Sequence, residues 1–239
     1  MKDLFKRFIP KGLLKSIRDI RNNFLGGYCL KSYSQEGEDM ILRRMLEKQQ
    51  FGFYVDVGAH HPFRFSNTYY FYKQGWKGIN IDAMPGSMEL FRKFRQRDIN
   101  LEIPISNSDQ VLTYYAFNEP ALNGFSKDLS QERNGTNGYF IQQEIKMQTS
   151  KLSTVLDKHL PIGTEIDFLS IDVEGLDLDI LHSIDWNKYK PKIILVEILE
   201  SGLFEIENSK IALFLEKYSY RVFAKSVNTV FFVQNNFKP

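Results

Sequence analysis

The sequence predicts an α/β domain with a mostly parallel β-sheet covered on both faces by helices. Three observations predict it. Short apolar runs of β-forming residues alternate with segments of helical period from residue 53 onward. Three of those runs stop abruptly at Val57-Gly58, Ile81-Asp82 and Ile171-Asp172, the places where a strand hands over to a loop. Two further β-like runs then close the chain around a short turn, which reads as a hairpin.

Size and composition set outer bounds. A chain of 239 residues suits one large domain, or one domain with a short appendage. Its net charge of +2 implies no polyelectrolyte partner, so no nucleic acid is expected. The one cysteine, Cys29, excludes an internal disulfide framework and a cysteine-rich zinc site, and it fits a cytoplasmic setting. No apolar run reaches the roughly eighteen residues of a membrane span.

Residues 1–30 form the expected appendage. Leu4, Phe5, Phe8, Ile9, Leu13, Leu14, Ile17 and Ile20 recur near helical spacing, and Lys and Arg fill the other positions. Pro10 and Gly12 are expected to divide this amphipathic segment into a helix pair. Helices of this kind usually dock on a neighbouring domain. A basic one can instead lie on the inner membrane surface, a peripheral contact through residues 1–24.

The main domain is expected over 31–239. A helix is predicted from Glu36 or Gly37 to Gln49, with Ser34 as its cap and Met40, Ile41, Leu42, Met45 and Leu46 buried. Strands are predicted at Phe53 to Val57, Lys77 to Ile81, Leu101 to Ile105, Ile166 to Ile171 and Lys192 to Ile198. Helices are predicted at Asn67 to Lys73, Ser87 to Arg97, Leu152 to His159, Leu176 to Ser183 and Lys210 to Tyr218. Val111 to Phe117 reads as an extended edge segment, and Glu144 to Thr149 as another extended piece. Residues 118–140, rich in Asn, Gly and Ser, read as a long loop of the sort that walls a substrate site. Arg221 to Lys225 and Thr229 to Gln234 form the closing hairpin.

The chemistry gathers at the strand ends, where open α/β sheets hold their ligands. Gly58 lets the chain turn sharply and lets a ligand approach, and Asp56 can meet an ammonium group. The next glycine slots of a dinucleotide fingerprint hold His60 and Phe63, so a nucleoside fits better than a pyrophosphate. Asp82, 24 residues after Gly58, can accept hydrogen bonds from two ribose hydroxyls. Asp172 and Glu174 border the same crevice and could orient a cationic cofactor, act as base or hold a cation. Glu174 could equally serve the dipole of the following helix. His60 is a candidate base or a plain wall residue. It neighbours His61, and two adjacent side chains diverge, so no metal-ligand set is assigned.

Taken together, the motifs resemble the FkbM family of S-adenosylmethionine-dependent methyltransferases. The resembling stretches are Tyr33 to Asp39, Val55 to His60, Gly75 to Asp82, Pro104 to Asn107, Ser170 to Gly175 and Val196 to Ile198, within residues 31–235. The resemblance implies a Rossmann-like methyltransferase fold, a seven-stranded sheet with an antiparallel C-terminal hairpin. It implies S-adenosyl-L-methionine as cofactor, with Asp56, Gly58 and Ala59 along its methionine part and Asp82 on its ribose. Ser106 and Asn107 would lie near the adenine, and Gln35 and Glu38 would close over the cofactor. It further implies O-methylation of a sugar hydroxyl in a glycan or glycolipid, with the base candidates ordered Asp172, His60, Glu174. The His60-His61-Pro62 run departs from the family's usual glycine. The alternatives are an NAD(P)- or nucleotide-sugar-binding enzyme and a non-catalytic module of the same fold.

Overall fold

The computed structural model describes residues 10–199 and 202–238. The chain divides into two compact units, one ending at Ser32 and the other beginning at Tyr33. In the first, α1 spans Lys11–Phe24, and Pro10 immediately precedes it with an extended backbone. The expected first arm, with Leu4, Phe5, Phe8 and Ile9, lies outside the described residues. No described helix is long and apolar enough to cross a membrane.

The second unit contains β1 (Phe53–Val57), β2 (Lys77–Asp82), β3 (Ile99–Glu102), β4 (Val111–Phe117), β5 (Ile141–Gln148), β6 (Phe168–Ile171), β7 (Ile193–Glu197), β8 (Tyr220–Lys225) and β9 (Thr229–Gln234). Its helices are α2 (Glu38–Met45), α3 (Tyr69–Lys73), α4 (Met88–Phe94), α5 (Lys127–Arg133), α6 (Leu152–His159), α7 (Asp177–His182), α8 (Leu203–Glu207) and α9 (Lys210–Glu216).

Seven strands form one sheet in the order β3-β2-β1-β6-β7-β9-β8. The first five are parallel, and β9 runs antiparallel to both β7 and β8. This is a Rossmann-like sheet closed by an antiparallel hairpin, the arrangement that the resemblance implies. Strand side chains alternate between two cores, as period two requires. Val55, Val57, Leu169, Ile171, Ile194 and Val196 join one core with Leu152, Leu181 and Leu215 from α6, α7 and α9. Tyr54, Phe168, Ile193, Leu195 and Phe231 join the other with Leu42 and Met45 of α2 and with Trp76. From β1 the order runs outward to β2 and β3, and on the other side to β6 and β7. The switch point therefore lies between β1 and β6.

Four expectations change. The strand expected at Leu101 to Ile105 is β3, which ends earlier. Pro104 has no N–H to donate, and Ile105 makes only an isolated bridge to Ser150. The segment Val111 to Phe117 is not an edge of the main sheet; it pairs with β5 as a separate two-stranded sheet. Residues 118–140 are not one loop, since they hold a 3₁₀ turn, Pro120–Leu122, and α5, whose N-terminal N–H of Leu129 is capped by Ser126. The helix expected to reach Gln49 is the shorter α2. It starts after Gly37, and the Ser34 hydroxyl accepts the Asp39 N–H at 3.1 Å from outside the helix.

Candidate functional site

The switch point opens into a crevice of about 440 Å³. Its floor begins at Gly58, which has φ +83°, and a Cβ there would stand 1.7 Å from the carbonyl oxygen of Asp172. Only glycine lets the ends of β1 and β6 close up this far. The Asp172 N–H donates to Val57 O, while the Gly58 and Ala59 N–H groups both donate to Ile81 O. Asp82, at the end of β2, accepts the His60 N–H on one oxygen and the Met84 N–H on the other, each at 2.8 Å. The carboxylate thus pins the β1 turn and still lines the crevice. Burial raises its pKa, and the two backbone donors oppose that rise.

His60 holds a left-handed backbone at φ +52° and also lines the crevice. Its Nε2 is buried and has no hydrogen-bond partner among the described residues. Burial, then the charges of Arg64 and His61, lowers its pKa, which favours the neutral ring. Gln35 also lines the crevice. The residues around it are tied down, because Glu36 accepts the Asn228 N–H at 2.6 Å and the Asn228 amide at 2.9 Å. Glu38 accepts the hydroxyls of Ser226 and Thr229, both at 3.2 Å.

The acidic end of the crevice is formed by Asp172, Glu174 and Glu197, whose carboxylate oxygens lie within 4.8 Å of one another. That is close enough to share a proton or to hold a cation. Asp172 is open to water through the mouth, yet it is ringed by protein and by other acids. Burial, then Glu197 and Glu174, holds its pKa well above the carboxylate range. Glu197 is pushed up to about 8 by burial and then by Glu174. Asp177 begins α7 and is also raised to about 8, by burial and then by Asp172; its Oδ1 lacks a partner among the described residues. Glu174, at φ +52°, receives a charged hydrogen bond of 2.6 Å from Arg133. Arg133 comes from α5, so the insert clasps the turn after β6. Gly124 and Gly175 let the two chains pack: a Cβ on Gly124 would meet the Glu174 Cβ at 3.0 Å, and one on Gly175 the Ser126 Cβ at 3.2 Å.

Six of the sequence-selected residues therefore line the crevice: Gln35, Gly58, His60, Asp82, Asp172 and Glu174. Five others do not. Asp56 points into the domain and accepts the Thr68 hydroxyl at 3.0 Å; burial lifts its pKa to about 6 against the pull of Arg95. Ala59 packs on Met88 and Phe91. Glu38 is spent on the hairpin turn. Ser106 accepts the Gln110 amide at 3.2 Å, and Asn107 donates to Asp179 at 2.9 Å. Ile103, Ile105 and Tyr114 line the crevice there instead. Glu197 and Arg133 are functional candidates that the residue-by-residue reading passes over. Glu197 carried the same signal as Asp82, a carboxylate at the end of a buried strand. Arg133 carried none, because its partner is 41 residues away.

A protein-family model described as "Methyltransferase FkbM domain" matches residues 56–222. A search of curated proteins returned no significant match.

Proposed function

The chain belongs to the FkbM methyltransferase family, and on that premise we propose an S-adenosylmethionine-dependent O-methyltransferase acting on a sugar hydroxyl of a glycan or glycolipid. One observation carries the reading. A single crevice joins the Asp82 carboxylate and an apolar wall to an acidic end short of cations. The residues suit the cofactor group by group. Asp82 would take the ribose hydroxyls, and Ile103, Ile105 and Tyr114 would flank the base. Gln35 and Gly58 would border the amino-acid end. Asp172, Glu174 and Glu197 would meet positive charge, which would in turn relieve their mutual repulsion. The volume lies in the range of small-molecule sites.

Bound there, S-adenosylmethionine supplies an activated methyl group. The protein's own task is to align an acceptor hydroxyl, exclude water and remove its proton. Asp172 is the first candidate for that proton, since its surroundings raise its basicity and it stands in the open crevice. His60 is second, because a lowered pKa makes a weaker base. Glu174 is third, since Arg133 already neutralises it. Phe65, Phe125 and Tyr139 line the crevice beside the insert and suit the apolar face of a sugar ring. The free, exposed Cys29 supports a cytoplasmic setting.

Calorimetry tests the cofactor. S-adenosylhomocysteine should bind at micromolar concentration, and NAD should give no heat. The reverse result favours the nucleotide-using alternative, and silence with both favours a non-catalytic module. Mass spectrometry of glycan acceptors after incubation should then show a gain of one methylene on oxygen. A gain on nitrogen would overturn the O-specific reading.

A further inference from the structure

The helix α1 presents a surface that the methyl-transfer reading does not use. Leu13, Ile17, Ile20 and Phe24 are spaced i, i+4, i+7 and i+11, which places them on one narrow stripe. They are 53, 51, 53 and 80 % exposed, and no residue of the helix is buried. Water-facing stripes of this kind are costly unless something covers them. Lys11, Lys15 and Arg18 lie on the opposite face, Arg21 lies at the flank, and Asp19 is the single acid of the helix. Leu25, Tyr28 and Leu30 prolong the exposed apolar surface beyond the helix end.

Two features identify the occupant. The helix is 14 residues long, which at 1.5 Å per residue gives about 21 Å, short of a roughly 30 Å hydrocarbon core. It therefore cannot cross a bilayer but can lie along one. Its charge is concentrated away from the apolar stripe, where long basic side chains can reach up to phosphate groups while their stems stay in the interface. An uncharged apolar groove on a partner would cover the stripe and leave that basic array unanswered.

We propose that α1 docks in the plane of an anionic lipid surface, with Leu13, Ile17, Ile20 and Phe24 immersed and the Lys and Arg residues on the headgroups. The proposal is independent of the methyl-transfer reading and stands or falls on lipid binding alone.

The test is co-sedimentation of the full chain with vesicles of phosphatidylcholine, alone or mixed with phosphatidylglycerol. The mixed vesicles should carry the protein down at low ionic strength, pure phosphatidylcholine should carry little, and added salt should release it. Ile17→Glu should weaken binding about tenfold or more, as expected from losing one immersed side chain. The double variant Lys15→Glu/Arg18→Glu should abolish the preference for phosphatidylglycerol. Unchanged melting curves would show that the sheet domain stays folded in both variants. The proposal is overturned by absence of vesicle binding at low salt, or by equal binding of the Ile17→Glu protein. It is also overturned by a dimer that Ile17→Glu dissociates while vesicles bind neither form, since a second copy would then be the occupant.

Discussion

The sheet domain holds two groups of partly or fully buried charge, and they answer that charge in opposite ways. Around Arg95 each charged group is answered several times over, and what is left over among the described residues is the neutral Oδ1 of Asn80. The Arg95 guanidinium donates to Asp98 at 2.9 Å, to the Tyr54 hydroxyl at 2.7 Å, to Thr68 at 3.0 Å and to Pro62 O at 3.2 Å. Asp98 in turn accepts from the Gly78 N–H and the Asn80 amide, both at 3.0 Å. At the crevice, Asp172, Glu174 and Glu197 crowd together, the charge of Asp177 acts on Asp172 and Glu197, one arginine is bonded to Glu174, and the Asp177 Oδ1 has no partner among the described residues. A satisfied buried network holds a fold together. Leftover like charge costs stability, and proteins keep it where a ligand or a proton will use it.

The largest expected effect comes from the unsatisfied group. Asp172→Asn should lower turnover about 10²- to 10⁴-fold, the usual weight of a general base. Affinity for S-adenosylhomocysteine should stay within a few-fold, and calorimetry beside steady-state kinetics measures both. If affinity fell as far as turnover, the contrast would fail, and Asp172 would be a cofactor contact only.

Arg95→Met should do the reverse. Breaking a buried pair while its acid remains costs about 3–5 kcal/mol, or a melting temperature lower by about 10 °C or more in a domain of this size. The folded fraction should keep its ligand affinity. A mild loss of stability would show that the network is less closed than its geometry implies.

A pH series sharpens the comparison with a smaller effect. Glu197 and Asp177 titrate near 8 in the folded chain, against ordinary values of 4.5 and 3.8. Between those limits the folded state holds protons that the unfolded state has released. The stability they contribute is therefore complete below about pH 4 and is lost as pH rises through 8. Glu197→Gln should flatten that decline, with a gain of about 3 °C in melting temperature at pH 8.5 and little change at pH 5. A parallel shift at both values would mean that Glu197 carries no excess proton.

The sequence made the strand ends legible because a buried strand is a continuous apolar run and its last residue is conspicuous. Gly58, Asp82 and Asp172 were found that way. Asp56 shows the limit of counting back from a glycine. It shares a strand face with Tyr54, and that face leads to the Arg95 network rather than to the crevice. Alternation along Phe53–Val57 carried that information. Both extended segments of the insert were read, but their pairing stayed hidden for another reason. The strands find each other across 24 or more residues, and polar, half-exposed strands such as Ile141–Gln148 show little period. The α5 helix did leave a local mark, a serine three residues ahead of Leu129, which is a capping signal.

The little sheet of β4 and β5 has a consequence of its own. The chain leaves the main body and returns to it at nearly one spot: Thr149 N–H donates to Gln110 O at 2.8 Å, and Ser106 N–H to Ser150 O at 3.0 Å. Everything between behaves as an excursion through a single gateway. Another excursion, of different length and lining, could be grafted at the same two stitches without disturbing the parallel strands. A scaffold plugged together in this way can change its clientele by exchanging one cassette, provided the newcomer brings a cation to meet Glu174.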